Sequence, residues 1–157
     1  RFLSEEMSGL TAKVFRTYHA SEVVKNYLKK ANVETSQPQV MKKHVATMAN
    51  LEAAIICNHK RKPPKNWKES LAKKIDRLDT LRTSPKKAKT LKERVQALKL
   101  KILEMKATRD YNLRTSLKSY IDPRIYYSWG KNIDFDWKLY YPKTFQNKFS
   151  WVEKQKG

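Results

Sequence analysis

The sequence predicts a mainly α protein, and three observations carry that expectation. Apolar residues recur at steps of three and four along several stretches, capping residues and prolines stand where helices would begin, and no period-two alternation is found beyond the short run DFDWKLYY. The predicted architecture is a helical body, a projecting antiparallel helical hairpin, and a small C-terminal region of short helices.

The first helix is expected over residues 11–30. Thr11 suits its N-cap, and Val14, Tyr18, Val24 and Leu28 follow helical spacing, with Arg16, His19, Ala12 and Ala20 on a different face. After the polar NVETSQ, Pro38 suits the first turn of a second helix whose buried stripe would be Met41, Val45, Met48, Leu51 and Ile55. It should end near Asn58, because KRKPP follows and Pro63 and Pro64 cannot continue it.

From residue 67 to residue 106 there is no Phe or Tyr, and charges become dense. Leu91, Val95, Leu98, Ile102 and Met105 form a coiled-coil seam, while Leu71, Ile75 and Leu78 form a matching stripe before the break at RTSP. Ser84 would cap the second arm and Pro85 would open it, making an arm roughly 30 Å long at about 1.5 Å per residue. Beyond it, Asp122 and Pro123 make a helix start, and residues 143–154 read as a last amphipathic helix with Phe145, Phe149, Trp151 and Val152.

Composition narrows the function. In 157 residues, 35 Lys and Arg face 15 Asp and Glu, a net charge of +20. Such a surface attracts polyanions, because each phosphate neutralised releases condensed counterions, so nucleic acid is the leading partner. More than half of this excess lies in residues 60–106, where 17 basic residues face 5 acids. Lone Cys57 with His19, His44 and His59 offers no zinc-ligand spacing, and Gly9, Gly130 and Gly157 provide no phosphate-cradling loop. No metal, no cofactor and no nucleotide hydrolysis are expected. No apolar run approaches the roughly 20 residues of a membrane span, and RFLSEEMSGL lacks a signal-peptide core, so the expected setting is intracellular with no membrane partner. The opening on Arg1 rather than Met suggests a piece of something longer.

Three stretches go beyond composition: GLTAKVFRTYHAS at residues 9–21, IICNHKRKPP at residues 55–64, and TSLKSYIDPRI at residues 115–125. In order and spacing, with a helical hairpin between the second and third, they closely resemble the C-terminal catalytic region of eukaryotic-type DNA topoisomerase IB, from about residue 3 to residue 152. The resemblance implies residues 1–66 as the C-terminal part of a core catalytic subdomain, 67–107 as a hairpin linker, and 108–157 as a C-terminal domain carrying the nucleophile.

The resemblance implies roles for single residues. Tyr120, in SYIDPR, matches the tyrosine that attacks a DNA phosphate. Without the motif it would be one of eight tyrosines and read as a core or interface aromatic. A phenol is a modest nucleophile at neutral pH, so neighbouring cations must stabilise the phosphoryl transition state. Arg16 matches the arginine that holds one non-bridging oxygen, a task suited to a permanently charged, two-pronged guanidinium. His59 matches the histidine that donates to another, which a neutral imidazole can do. The implied reaction is a transesterification through a 3′-phosphotyrosyl bond that relaxes supercoiled double-stranded DNA without ATP or metal. Lys13, Lys60, Arg61, Lys62, Lys65 and Arg124 are the expected DNA contacts, with the hairpin's basic face lying over DNA downstream of the cut.

The match is not complete. The family's further catalytic arginine and lysine lie N-terminal to GLTAKVFRTY, so a core segment on the same gene or on another chain is expected to supply them, and this chain alone should be weak or inactive. The family has Ser-Lys in succession before the tyrosine, whereas here Leu117 separates Ser116 from Lys118, and Lys118 is not carried over. Ser119 stands where Asn is usual, beside the drug pocket of relatives, so camptothecin sensitivity is not carried over either; His19 also replaces a usual Asn. Relatives are nuclear in eukaryotes and nucleoid-associated in archaea, and the compact linker leans toward the latter. The competing reading is a basic helical DNA-binding module without chemistry; a tyrosine recombinase shares the nucleophile but not the other two motifs.

Overall fold

The computed structural model describes residues 8–85 and 89–155. Helix α1 (Ala12–Ala31) begins where the Thr11 hydroxyl accepts the Val14 N–H at 3.4 Å, and ends on Asn32 in the left-handed region, φ 46°. Helix α2 (Gln39–Ile56) follows Pro38 and stops at Cys57, before Asn58 turns the chain at φ 55°. Both helices thus start and stop where their local chemistry directs.

The faces they bury match expectation in part: Val24, Leu28 and Leu51 are buried as expected and Val45 packs against the core, but other positions differ. In α2 the core face is Ala46, Ala49, Ala53 and Ala54 with Leu51, Asn50 and Lys42, whereas Ile55 is 42% exposed. Of these, Ala46, Ala49 and Ala53 meet Ala20, Val24 and Leu28 of α1 in one cluster. Small side chains let two helices approach closely, so the face chosen is the one of smallest volume and not the one of largest hydrophobes. Lys42, only 1% exposed, lays its chain in this core and donates to the carbonyls of Thr35 at 2.8 Å and Asp134 at 3.3 Å. At the start of α1, the expected stripe fails: Val14 is exposed and Tyr18 is 67% exposed. They line an apolar groove of about 1010 Å³ with Leu28, Ile125 and Trp129, which no described residue fills.

Helices α3 (Trp67–Arg82) and α4 (Lys89–Ala107) form the antiparallel hairpin. Leu78 and Ile102 are buried in its seam, while Leu91, Val95, Leu98 and Met105 are half-buried. Leu100, off the seam, is also buried, because α4 lies along α2 as well as α3, with His44 Nδ1 and Glu104 Oε1 3.1 Å apart. The Trp67 indole donates to the Met105 carbonyl at 3.1 Å and closes the base of the hairpin. Ser84 and Pro85 lie between the arms, and the expected helix start after them falls against residues outside those described.

The C-terminal part consists of α5 (Leu113–Ser119), α6 (Pro123–Ile133), a 3-10 turn at Trp137–Leu139, α7 (Lys143–Lys148) and a second 3-10 turn at Ser150–Lys154. DFDWKLYY is therefore not a strand, and among the described residues the β structure is one isolated bridge between Lys60 and Tyr111. The expected last helix is divided at Phe149. Its buried residues are Phe145, Phe149 and Val152, while Trp151 is exposed. The tighter turn carries Glu153, which accepts the Trp137 indole N–H at 3.2 Å and pairs with Lys138 at 2.6 Å.

Tyr126, from α6, locks this part onto α2. It is 1% exposed, donates its hydroxyl to the Ala46 carbonyl at 2.8 Å, and packs against Trp129, Tyr140 and Tyr141. Burial pushes the Tyr126 phenol well above its ordinary pKa. The chain then reverses at Asp134, φ 56°, and brings the Phe135 carbonyl oxygen into the space that a Cβ on Gly130 would occupy. Only glycine permits that approach.

Candidate active site around Tyr120

The site is assembled at the ends of three helices. Asn58, in the left-handed region, turns the chain out of α2 and the His59 N–H bonds back to the Ala54 carbonyl at 2.9 Å. The strand-like pairing that follows joins residues 59–61 to residues 110–112: Asn112 N–H donates to the His59 carbonyl at 2.7 Å and Arg61 N–H to the Asp110 carbonyl at 2.9 Å. Asn112 is also the N-cap of α5, its side-chain oxygen accepting from the N–H groups of Arg114 and Thr115. Helix α5 therefore starts from a point fixed to the histidine segment. At its other end it delivers Tyr120.

Tyr120 sits at the C-cap of α5, half-buried, with φ −126° and ψ −13°. The His59 ring lies 4.8 Å from the Tyr120 ring, tilted by 56°. The Arg16 guanidinium carbon is 5.4 Å from the same ring centroid, and Lys13 Nζ is 5.8 Å from it. Two cations from α1 and an imidazole from beyond α2 thus converge on one phenol. A phenol ring next to two cations is stabilised by its quadrupole, and the same cations favour an anion arriving there.

Arg16 is held by its Nη2 donating to the Cys57 carbonyl at 2.8 Å. That carbonyl ends α2, where the helix dipole is negative and a cation is favoured. A guanidinium has five N–H donors, so this anchor leaves others to act. Burial, and then the Arg16 charge, push the His59 pKa below its ordinary value, so His59 is a neutral imidazole near pH 7. Its Nδ1 lies 3.2 Å from the hydroxyl of the fully buried Ser116, which also lies 3.4 Å from the Asn112 carbonyl. The Ser116 hydroxyl donates its one proton to the Asn112 carbonyl, so its oxygen accepts from Nδ1–H, which fixes the ring and leaves Nε2 as the nitrogen facing an incoming oxygen.

The expected DNA contacts fall in three places. Lys13 is at the Tyr120 ring. Lys60, Arg61, Lys62 and Lys65 are exposed along the segment after His59, with Arg61 Nη2 donating to the Thr108 carbonyl at 3.3 Å. Arg124 is turned to Asp122, with Nε 3.0 Å from each carboxylate oxygen and Nη2 2.6 Å from Oδ2. Burial pushes the Asp122 carboxyl up, but the bonds from Arg124 outweigh it and hold its pKa below the ordinary value. Asp122 also accepts the Arg124 N–H as N-cap of α6, so this pair shapes the turn after Tyr120.

Two site residues escaped the sequence reading. Ser116 and Ser21 are both buried serines; Ser116 bonds to His59 beside Tyr120, and Ser21 to the backbone of Tyr120 itself. Both lie inside the recognised motifs, yet nothing in a serine's local spacing marks it as a partner for a residue far along the chain. Among the described residues no group of His, Cys, Asp and Glu could hold a metal ion, and no helix is long and apolar enough to cross a membrane.

Comparison with known proteins bears on this arrangement. Residues 1–95 match the family model described as eukaryotic DNA topoisomerase I, catalytic core, and residues 92–157 match the C-terminal topoisomerase domain. The chain is 31% identical to DNA topoisomerase 1 of Mus musculus, over 97% of this chain and 24% of that protein. It is 37% identical to DNA topoisomerase 1 of Drosophila melanogaster, over 96% of this chain and 17% of that protein. With the mitochondrial DNA topoisomerase I of Rattus norvegicus it shares 29% identity, over 100% of this chain and 31% of the relative. The chain thus spans less than a third of the length of each of these relatives.

Proposed function

Because the chain belongs to the eukaryotic DNA topoisomerase I family, we propose that it is the C-terminal catalytic portion of a type IB enzyme that relaxes supercoiled DNA, with Tyr120 as the nucleophile. The observation that carries this reading is the convergence of Arg16, Lys13 and His59 on the Tyr120 ring.

In this reading the Tyr120 oxygen attacks the phosphorus of a phosphodiester in duplex DNA and its proton passes to solvent. A tyrosyl P–O bond forms at the 3′ side, and the bond to the 5′ oxygen breaks. The departing 5′ oxygen keeps the electron pair and takes up one proton. One ester replaces another, so neither ATP nor a metal is required. Arg16 and the His59 imidazole hold the non-bridging oxygens, whose charge grows in the transition state. After the free strand turns about its partner, the 5′ hydroxyl attacks back. The general acid and a second arginine are placed on an N-terminal core segment outside this chain, and such acid assistance is worth about a hundredfold to ten-thousandfold. Lys60, Arg61, Lys62 and Lys65, with the hairpin's basic face, track phosphates. The setting is intracellular and DNA-associated.

The test is covalent trapping on a labelled suicide duplex, with and without a core segment from a relative, beside Tyr120→Phe. The expected result is an adduct that vanishes in the phenylalanine variant and increases with the added segment. No adduct with the segment present, alongside retained salt-dependent binding, would replace this reading with a non-catalytic DNA-binding module.

A further inference from the structure

We infer that Ser21 is a positioning residue for Tyr120, through a hydroxyl that fixes the backbone on both sides of the nucleophile to the helix carrying Arg16. This inference rests on the reading of Tyr120 proposed above. Ser21 lies in α1 and is 8% exposed. Its Oγ donates to the Tyr120 carbonyl at 3.3 Å and accepts the Asp122 N–H at 3.0 Å. One hydroxyl therefore serves as donor and acceptor at once.

The two groups it binds are the ones the local structure leaves over. Helix α5 closes with the N–H groups of Tyr120 and Ile121 on the Ser116 carbonyl, and α6 opens with the Asp122 carbonyl accepting from Ile125. Between them, the Tyr120 carbonyl and the Asp122 N–H belong to neither helix. Buried backbone groups of this kind need partners, and Ser21 supplies both. Because Lys13, Arg16 and Ser21 all belong to α1 (Ala12–Ala31), one rigid element sets the two cations over the Tyr120 ring and holds the backbone beneath it. Removing the hydroxyl loosens the nucleophile relative to Arg16 while leaving the exposed basic residues untouched. Misplacement of a reacting group by about 1 Å costs up to about a hundredfold in rate.

Single-turnover cleavage of a suicide duplex at saturating protein, with the core segment added, separates this role from a merely structural one. Ser21→Ala should lower the rate constant about tenfold with DNA affinity unchanged. Ser21→Thr should restore it, since it keeps the hydroxyl and Ser21 lines a groove with room for one more methyl. Tyr126→Phe, which removes a hydroxyl bonded to the Ala46 carbonyl and to no site residue, is the control for lost stability: it should lower the melting temperature without changing the rate constant. A Ser21→Ala rate within about twofold of wild type overturns the inference, as does a rate loss equalled by Tyr126→Phe. If Ser21→Ala does not fold, Ser21→Cys, which keeps the size and weakens both bonds, must show the rate loss instead, and a wild-type rate there also overturns it. Absence of any wild-type adduct would strike at the reading of Tyr120 itself.

Discussion

Replacing Arg16 with lysine tests what a guanidinium does that a point charge cannot. Arg16 spends Nη2 on the Cys57 carbonyl at 2.8 Å while its central carbon stands 5.4 Å from the Tyr120 ring. A lysine ammonium is a single point of charge and cannot hold that carbonyl and present paired donors to a phosphate at the same time. Loss of one preorganised donor to developing negative charge costs about a hundredfold to a thousandfold in rate, equivalent to about 2.7–4 kcal/mol of transition-state stabilisation. The missing bond from the exposed Arg16 side chain costs about 1 kcal/mol of stability, or about 2–4 °C in melting temperature. DNA affinity should hold, because the charge and its released counterion are retained. The assay is single-turnover adduct formation, complemented with the core segment, with binding measured in parallel. An Arg16→Lys rate within about threefold of wild type would refute the reasoning, and so would a loss matched by an equal loss of affinity, which would make Arg16 a ground-state contact.

Three further outcomes follow from the same structure. Gly130→Ala, which would stabilise an ordinary helix interior, should here cost about 1–3 kcal/mol, because the new Cβ runs into the Phe135 carbonyl oxygen; a raised melting temperature would show that the turn yields cheaply. Stability should fall as the pH drops through about 6.5, because the unfolded chain takes up a proton that native His59, with its lowered pKa, resists; His59→Gln should flatten that slope in denaturant titrations between about pH 7.5 and 5.5. Changing Lys60, Lys62 and Lys65 to glutamine should reduce the slope of log affinity against log salt by about 0.9 for each phosphate no longer neutralised, and an unchanged slope would remove them from the interface.

Much of this protein was legible in its sequence because the signals involved are local. Thr11, Pro38, and Asp122 with Pro123 place helix starts through bonds that span two or three residues, and the hairpin arms are written in a stripe repeated every three or four. The three motifs led to Tyr120, Arg16 and His59 on resemblance, and to the family that the comparisons bear out. Which face of each helix is buried depended on neighbours far along the chain. Close packing of α1 on α2 selected Ala46, Ala49 and Ala53 over Ile55, and Lys42 entered the core because carbonyls of Thr35 and Asp134 came within reach of its ammonium. The last helix divides at Phe149, and the second turn carries the bonds of Glu153 to Trp137 and Lys138, partners that spacing does not reveal. Ser21 and Ser116 became site residues for the same reason: their short hydroxyls act only on what the fold brings within about 3 Å, and spacing along a sequence carries no measure of that distance.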